Sequence, residues 1–139
     1  MKKETKEKTI TCKVNEELTI TLKNVTEVMG HDDSLPFNAD LYIRNAKHKR
    51  SKLVARCWND GWGGETNIDT ILPEDRETVA NTNDFLKNTY ECPFVVAGKK
   101  YAIDMTLEFL VSIMAEFAIH RDINSIKLDY LKDVVRKNK

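Results

Sequence analysis

Apolar and polar residues begin to alternate at Thr9. Ile10, Cys12 and Val14 share one face of a strand. After Asn15-Glu16-Glu17 the alternation resumes, with Leu18, Ile20 and Leu22 set against Thr19, Thr21 and Lys23. So short a break between two strands predicts an antiparallel hairpin. From Asn24 to Pro36 the pattern lapses into a polar stretch around Gly30 and His31-Asp32-Asp33-Ser34, which reads as a loop. Pro36 opens the next strand, where its missing N–H does least harm. There Phe37, Ala39, Leu41 and Ile43 face one way and Asn38, Asp40, Tyr42 and Arg44 the other. Leu53 to Trp58 makes a fourth strand, and Thr66 to Leu72 a fifth or an irregular connection.

The period then changes. Pro73-Glu74-Asp75 is a helix start, with proline in the first turn and acids at the positive end of the dipole. The predicted helix runs to about Lys87 and turns Val79, Phe85 and Leu86 inward. Cys92 to Ala97 reads as a short edge strand ahead of Gly98-Lys99-Lys100. The strongest helical period spans Asp104 to Ile119, where Ile103, Leu107, Leu110, Val111, Met114, Phe117 and Ala118 recur on one side. Ile123, Ile126, Tyr130, Leu131 and Val134 suit a final helix. Strands first and helices later predict an α+β fold, an antiparallel sheet of about four or five strands with helices on one face. Met1 to Lys8 reads as a flexible leader, and 9–139 as a single domain.

Composition narrows the function classes. The 22 basic and 22 acidic residues of the 139 cancel, so any charge-driven contact must come from local clustering. Cys12, Cys57 and Cys92 are far apart, with no CxxC pair and no zinc spacing, which suits free thiols in a reducing compartment. The charged start MKKETKEK has no apolar signal core, and no run approaches a membrane span. The expectation is a cytoplasmic protein that needs no cofactor or metal.

Most candidate chemistry has a structural explanation. Asn59-Asp60-Gly61-Trp62-Gly63-Gly64 could hold an anion on its backbone amides, but it lacks both phosphate-loop fingerprints and reads as a strand connection. Of the two flanking tryptophans, one is expected inside and one outside, with Trp62 the exposed anchor. Asp104, Glu108 and Glu116 share the predicted helix stripe, which is a solvated face and not a pair opposed across a cleft. His31-Asp32-Asp33 lacks a partner motif, and His120-Arg121-Asp122 is a chance kinase-like match. A Cys/His nucleophile pair would have to be assembled by the fold.

The basic loop stands apart. Arg44, Lys47, His48, Lys49, Arg50 and Lys52 lie within nine residues of a chain that is neutral as a whole. At the tip of a hairpin they could reach phosphates or an acidic protein surface; the structural reading is a solvated, solubilising loop.

Phe37-x-Ala39-x-Leu41-Tyr42, followed by a strand and Asn59-Asp60-Gly61-x-Gly63-Gly64, resembles a pattern in small bacterial, prophage and mobile-element proteins. The likeness covers about thirty residues directly and carries no activity or catalytic residue. In those proteins a short glycine turn links the two strands, where this chain has the longer basic run. The resemblance implies a mobile-element context, in which compact charged proteins block host defence complexes or regulate nucleic-acid machinery.

Together these readings lead to a non-enzymatic binding protein, an anti-CRISPR-like inhibitor of a bacterial protein or ribonucleoprotein complex that handles nucleic acid. Its contacts would be Arg44, Lys47, His48, Lys49, Arg50 and Lys52, with Trp62 as an apolar anchor. The alternative is a small anionic-ligand or nucleotide-binding module, and an enzyme built from Asp/His or Cys/His residues ranks third.

Overall fold

A computed structural model describes residues 7–27, 36–59 and 66–137. In chain order the elements are β1 (Lys8–Lys13), β2 (Thr19–Glu27), β3 (Phe37–Arg44), β4 (Lys52–Asn59), β5 (Asn67–Thr70), α1 (Pro73–Thr89), β6 (Tyr90–Val96), β7 (Lys99–Asp104), α2 (Leu107–Arg121), β8 (Ser125–Lys127), a 3₁₀ turn (Leu128–Tyr130) and β9 (Val135–Arg136). The main sheet has the order β5-β4-β3-β2-β1-β8, and a small sheet has the order β7-β6-β9. The α+β expectation holds, with more strands than the sequence suggested. No helix among the described residues is long and apolar enough to cross a membrane.

The first four strands form where alternation places them. Ile10, Cys12, Ile20, Leu22, Phe37, Ala39, Leu41, Ile43 and Cys57 are buried on one face of the main sheet. The other face carries Lys23, Asp40, Tyr42, Arg56 and Trp58, and Lys23 Nζ sits 4.4 Å from the centre of the Tyr42 ring. Asn24 to Glu27, read as loop, extends β2 beyond an irregularity in register at Lys23/Thr26, and Asn24 adopts a left-handed φ of 57°. The His31-Asp32-Asp33 stretch lies outside the described residues.

α2 covers the apolar face at β1 and β2, burying Leu107, Leu110, Val111, Met114, Ala115 and Ala118. Each large aliphatic side chain removed from water contributes roughly 1.5–3 kcal/mol. Thr106 caps this helix, its Oγ1 accepting from Phe109 N at 3.1 Å. The helix therefore begins three residues later than the periodicity indicated. Ile103 and Asp104 fall in phase with it yet belong to β7, and Asp104 pairs with Lys137. The expected stripe of Asp104, Glu108 and Glu116 is thus not one helix face.

The predicted final helix is absent. Asp122 closes α2 in the left-handed conformation (φ 53°, ψ 36°), and Asn124 O then accepts from Thr11 N at 3.0 Å. That bond leads β8 into parallel pairing with β1, setting Ile126 beside Cys12. An open strand edge supplies backbone partners that a helix would not have needed, and the edge prevails over the 3.6-residue spacing. Leu128 is buried in the 3₁₀ turn, while Tyr130 is 78% exposed. β6, expected at an edge, is the central strand of its sheet.

Burial gives the core a pH signature. It pushes the Cys12 and Cys57 thiols up from 9.0 to about 12. Burial, aided by the nearby Asp129 carboxylate, raises the Tyr90 phenol from 10.0 to about 12. In the unfolded chain these groups lose protons first, so unfolding is favoured as pH rises. Their stabilising contribution is complete below pH 9.0 and declines progressively up to about 12. Denaturant titrations across this window should show a steady fall in stability, less steep in Cys57→Ala; a flat profile would contradict the burial of these groups.

Candidate functional site

The β3–β4 connection is anchored at both ends. At its start, Arg44 Nη2 donates to Thr19 Oγ1 at 3.0 Å on neighbouring β2. Asn45 then closes a tight turn. Its Oδ1 accepts from His48 N at 2.7 Å, and its own N–H donates to His48 O at 3.0 Å. Asparagine suits this place because its short side chain can substitute for a backbone acceptor. At the far end, Lys52 Nζ lies 2.9 Å from Asp75 Oδ1 and 3.6 Å from Glu74 Oε1. Both acids come from the first turn of α1. The hydrogen bond that Lys52 donates to Asp75 leads the causes that raise its ammonium above its ordinary pKa.

Six of the sequence-selected residues therefore divide by environment. Arg44 and Lys52 are half-buried and hold the loop to β2 and α1. His48 is half-buried and closes the turn through its backbone. Lys47, Lys49 and Arg50 are exposed and make no ion pair among the described residues. Trp62, the seventh, lies outside the described residues along with 60–65 of the glycine-rich turn. Trp58 is on the solvent face of the sheet, between Asn38 on β3 and Asn67 on β5.

The loop does not stand free in solvent. Its base, the β1–β2 turn and α1 enclose a cleft of about 300 Å³. Asn15, Glu17 and Leu18 line one side, Asn45, Ala46 and Lys47 the second, and Glu77, Thr78, Asn81, Thr82 and Phe85 the third. Much of its polarity is already committed. Asn15 Oδ1 accepts from both Glu17 N and Leu18 N at 2.8 Å, and Thr82 Oγ1 donates to Thr78 O at 2.8 Å. What remains is a mixed wall of amide groups, two carboxylates, one ammonium and an aromatic ring. Sequence reading missed this cleft because its three walls meet only in space; Asn15 in its turn was the one local signal.

The buried thiols bear on covalent chemistry. Cys12 and Cys57 stay protonated at neutral pH, and burial also raises Cys92. A thiol held this way is a poor nucleophile. Among the described residues, no three His, Cys, Asp or Glu side chains gather as a metal site.

Compared with protein-family models, curated proteins and solved structures, the chain matches none.

The anchoring leads to a stability prediction. Asp75 is 1% exposed, and its Oδ2 has no protein partner. Removing Lys52 leaves a buried carboxylate without its counter-charge, a strongly destabilising change. Lys52→Met should lower the melting temperature by several degrees, and Lys49→Met should leave it nearly unchanged. Adding Asp75→Leu to Lys52→Met should recover much of the loss. Equal melting temperatures for the two single variants would show that the pair does not hold the loop.

Proposed function

We propose that this chain is a non-enzymatic, cytoplasmic binding protein that docks on a bacterial complex handling nucleic acid and inhibits it, as mobile-element proteins do to host defence systems. The contacts are Lys47, Lys49 and Arg50, with Trp62 as a second, apolar contact. One observation carries this reading: three neighbouring cations that make no ion pair among the described residues are presented by a loop fixed at both ends. A loop already held in shape loses less conformational entropy on binding than a free one. In a chain of zero net charge, such a cluster supplies the local field that steers an anionic partner.

A small-ligand reading has the cleft beside Lys47 in its favour. Glu17 and Glu77 oppose Lys47 in lining it, so the cleft is poorly matched to a nucleotide phosphate. The presented cations favour an extended anionic surface over an enclosed anion.

Affinity capture of the tagged chain from its host, with and without nuclease, tests the proposal. Wild type should retain a nucleic-acid-handling complex, and Lys47→Glu/Lys49→Glu/Arg50→Glu should lose it. Where phosphates are the contacted groups, three such cations give a log–log salt slope of roughly −2 to −3, which the triple variant flattens. The same proteins captured by both chains, or binding insensitive to salt, would rule out the loop as the contact.

A further inference from the structure

β6 and β7 project as an arm in which every residue from Pro93 to Asp104 is exposed. Ala97 and Gly98, with φ of 53° and 79°, make its tight turn. Phe94 and Tyr101 stack across it with ring centres 5.5 Å apart, yet both remain exposed, as do Val95, Val96 and Ile103. A two-stranded ribbon with this much apolar surface is marginal in water and gains from a partner.

The two outer edges of the small sheet differ. On the β6 side, β9 covers Tyr90 and Glu91, and Pro93 beyond it has no N–H to offer an incoming strand. Among the described residues the β7 edge has no such guard. Met105 N donates to Tyr90 O at 3.1 Å, which fixes the antiparallel alternation. Cys92 with Ile103, Phe94 with Tyr101 and Val96 with Lys99 are then the hydrogen-bonded pairs. The backbone N–H and C=O groups of Lys100, Ala102 and Asp104 therefore point away from β6.

We propose that β7 is a dimerisation edge, and that a second copy of this chain adds to it antiparallel with Ala102 opposite the partner's Ala102. A two-fold axis perpendicular to the sheet pairs residues of the same face, and this register engages all three outward-pointing residues. It sets Lys100 against the partner's Asp104 twice, and Tyr101 against the partner's Ile103 twice. The register centred on Tyr101 instead puts Lys99 against the partner's Ile103 and leaves Asp104 without a cross-strand cation. Charge complementarity selects the first. Lys137 occupies Asp104 Oδ1, and the half-exposed carboxylate keeps its second oxygen for Lys100. The product is one continuous six-stranded ribbon whose apolar side chains form bands across the junction. It does not depend on the basic loop.

Light scattering on the full chain over a range of concentrations is the test. The expected mass is twice 16.0 kDa. Lys100→Asp and Asp104→Lys should each be monomeric, because like charges then face each other twice. An equimolar mixture of the two should regain the doubled mass, since every cross-strand pair is again opposite in sign. Ala102→Pro should also be monomeric with an unchanged circular dichroism spectrum, because that N–H points away from β6 and makes no ladder bond among the described residues. A wild type that stays at 16.0 kDa throughout overturns the proposal. So does a mixture that stays monomeric, or a Lys100→Asp chain that still doubles.

Discussion

α2 and the inner face of β1 and β2 bury each other, and the rest of the chain is arranged by that contact. The helix is apolar around much of its circumference, so it cannot lie on the surface as an ordinary amphipathic helix would. By occupying β1 and β2 it leaves the β4 and β5 end of the sheet to α1. By ending at Asp122 it returns the chain to the open side of β1, where β8 completes the sheet. The small sheet then emerges where α1 and α2 are joined, outside this core, and the basic loop is caught between β2 and α1.

Much of this was legible in the residues. Alternation marked β1 to β4 because one face of each is buried and the other wet. Pro73 marked the start of α1 because its fixed φ suits a first turn. Other features could not be read locally. Ile103 and Asp104 are in phase with α2 by coincidence of period, and only the pairing of β7 with β6 removes them from it. Ile123 to Val134 has helical spacing, but the unfilled edge of β1 lies more than a hundred residues away in sequence. Lys52 looked like one more loop cation because the burial of Asp75 depends on how α1 lies against β4. Asp75 itself looked like an ordinary first-turn acid.

The candidate site shows what anchoring does to a charged loop. A run of cations in solvent samples many shapes, and each must be abandoned when a partner binds. Here Arg44 and Lys52, both still partly exposed, each make a contact that fixes the segment between them. Lys47, Lys49 and Arg50 within it make no ion pair among the described residues, and their relative positions become better defined. The arrangement also ties the loop to the first turn of α1, so a partner that pulls on the loop acts on the helix as well.

The cysteines have a practical consequence. Cys12 is in β1 under α2, Cys57 is in β4, and Cys92 is at the base of the arm, all three free and buried. Alkylation of each requires its own neighbourhood to open, and regions of one fold open with different free energies. The native thiols are therefore three internal clocks, one for each part of the molecule. Their relative labelling rates would rank the helix-covered sheet, its β4 side and the arm by local stability, without a single introduced probe.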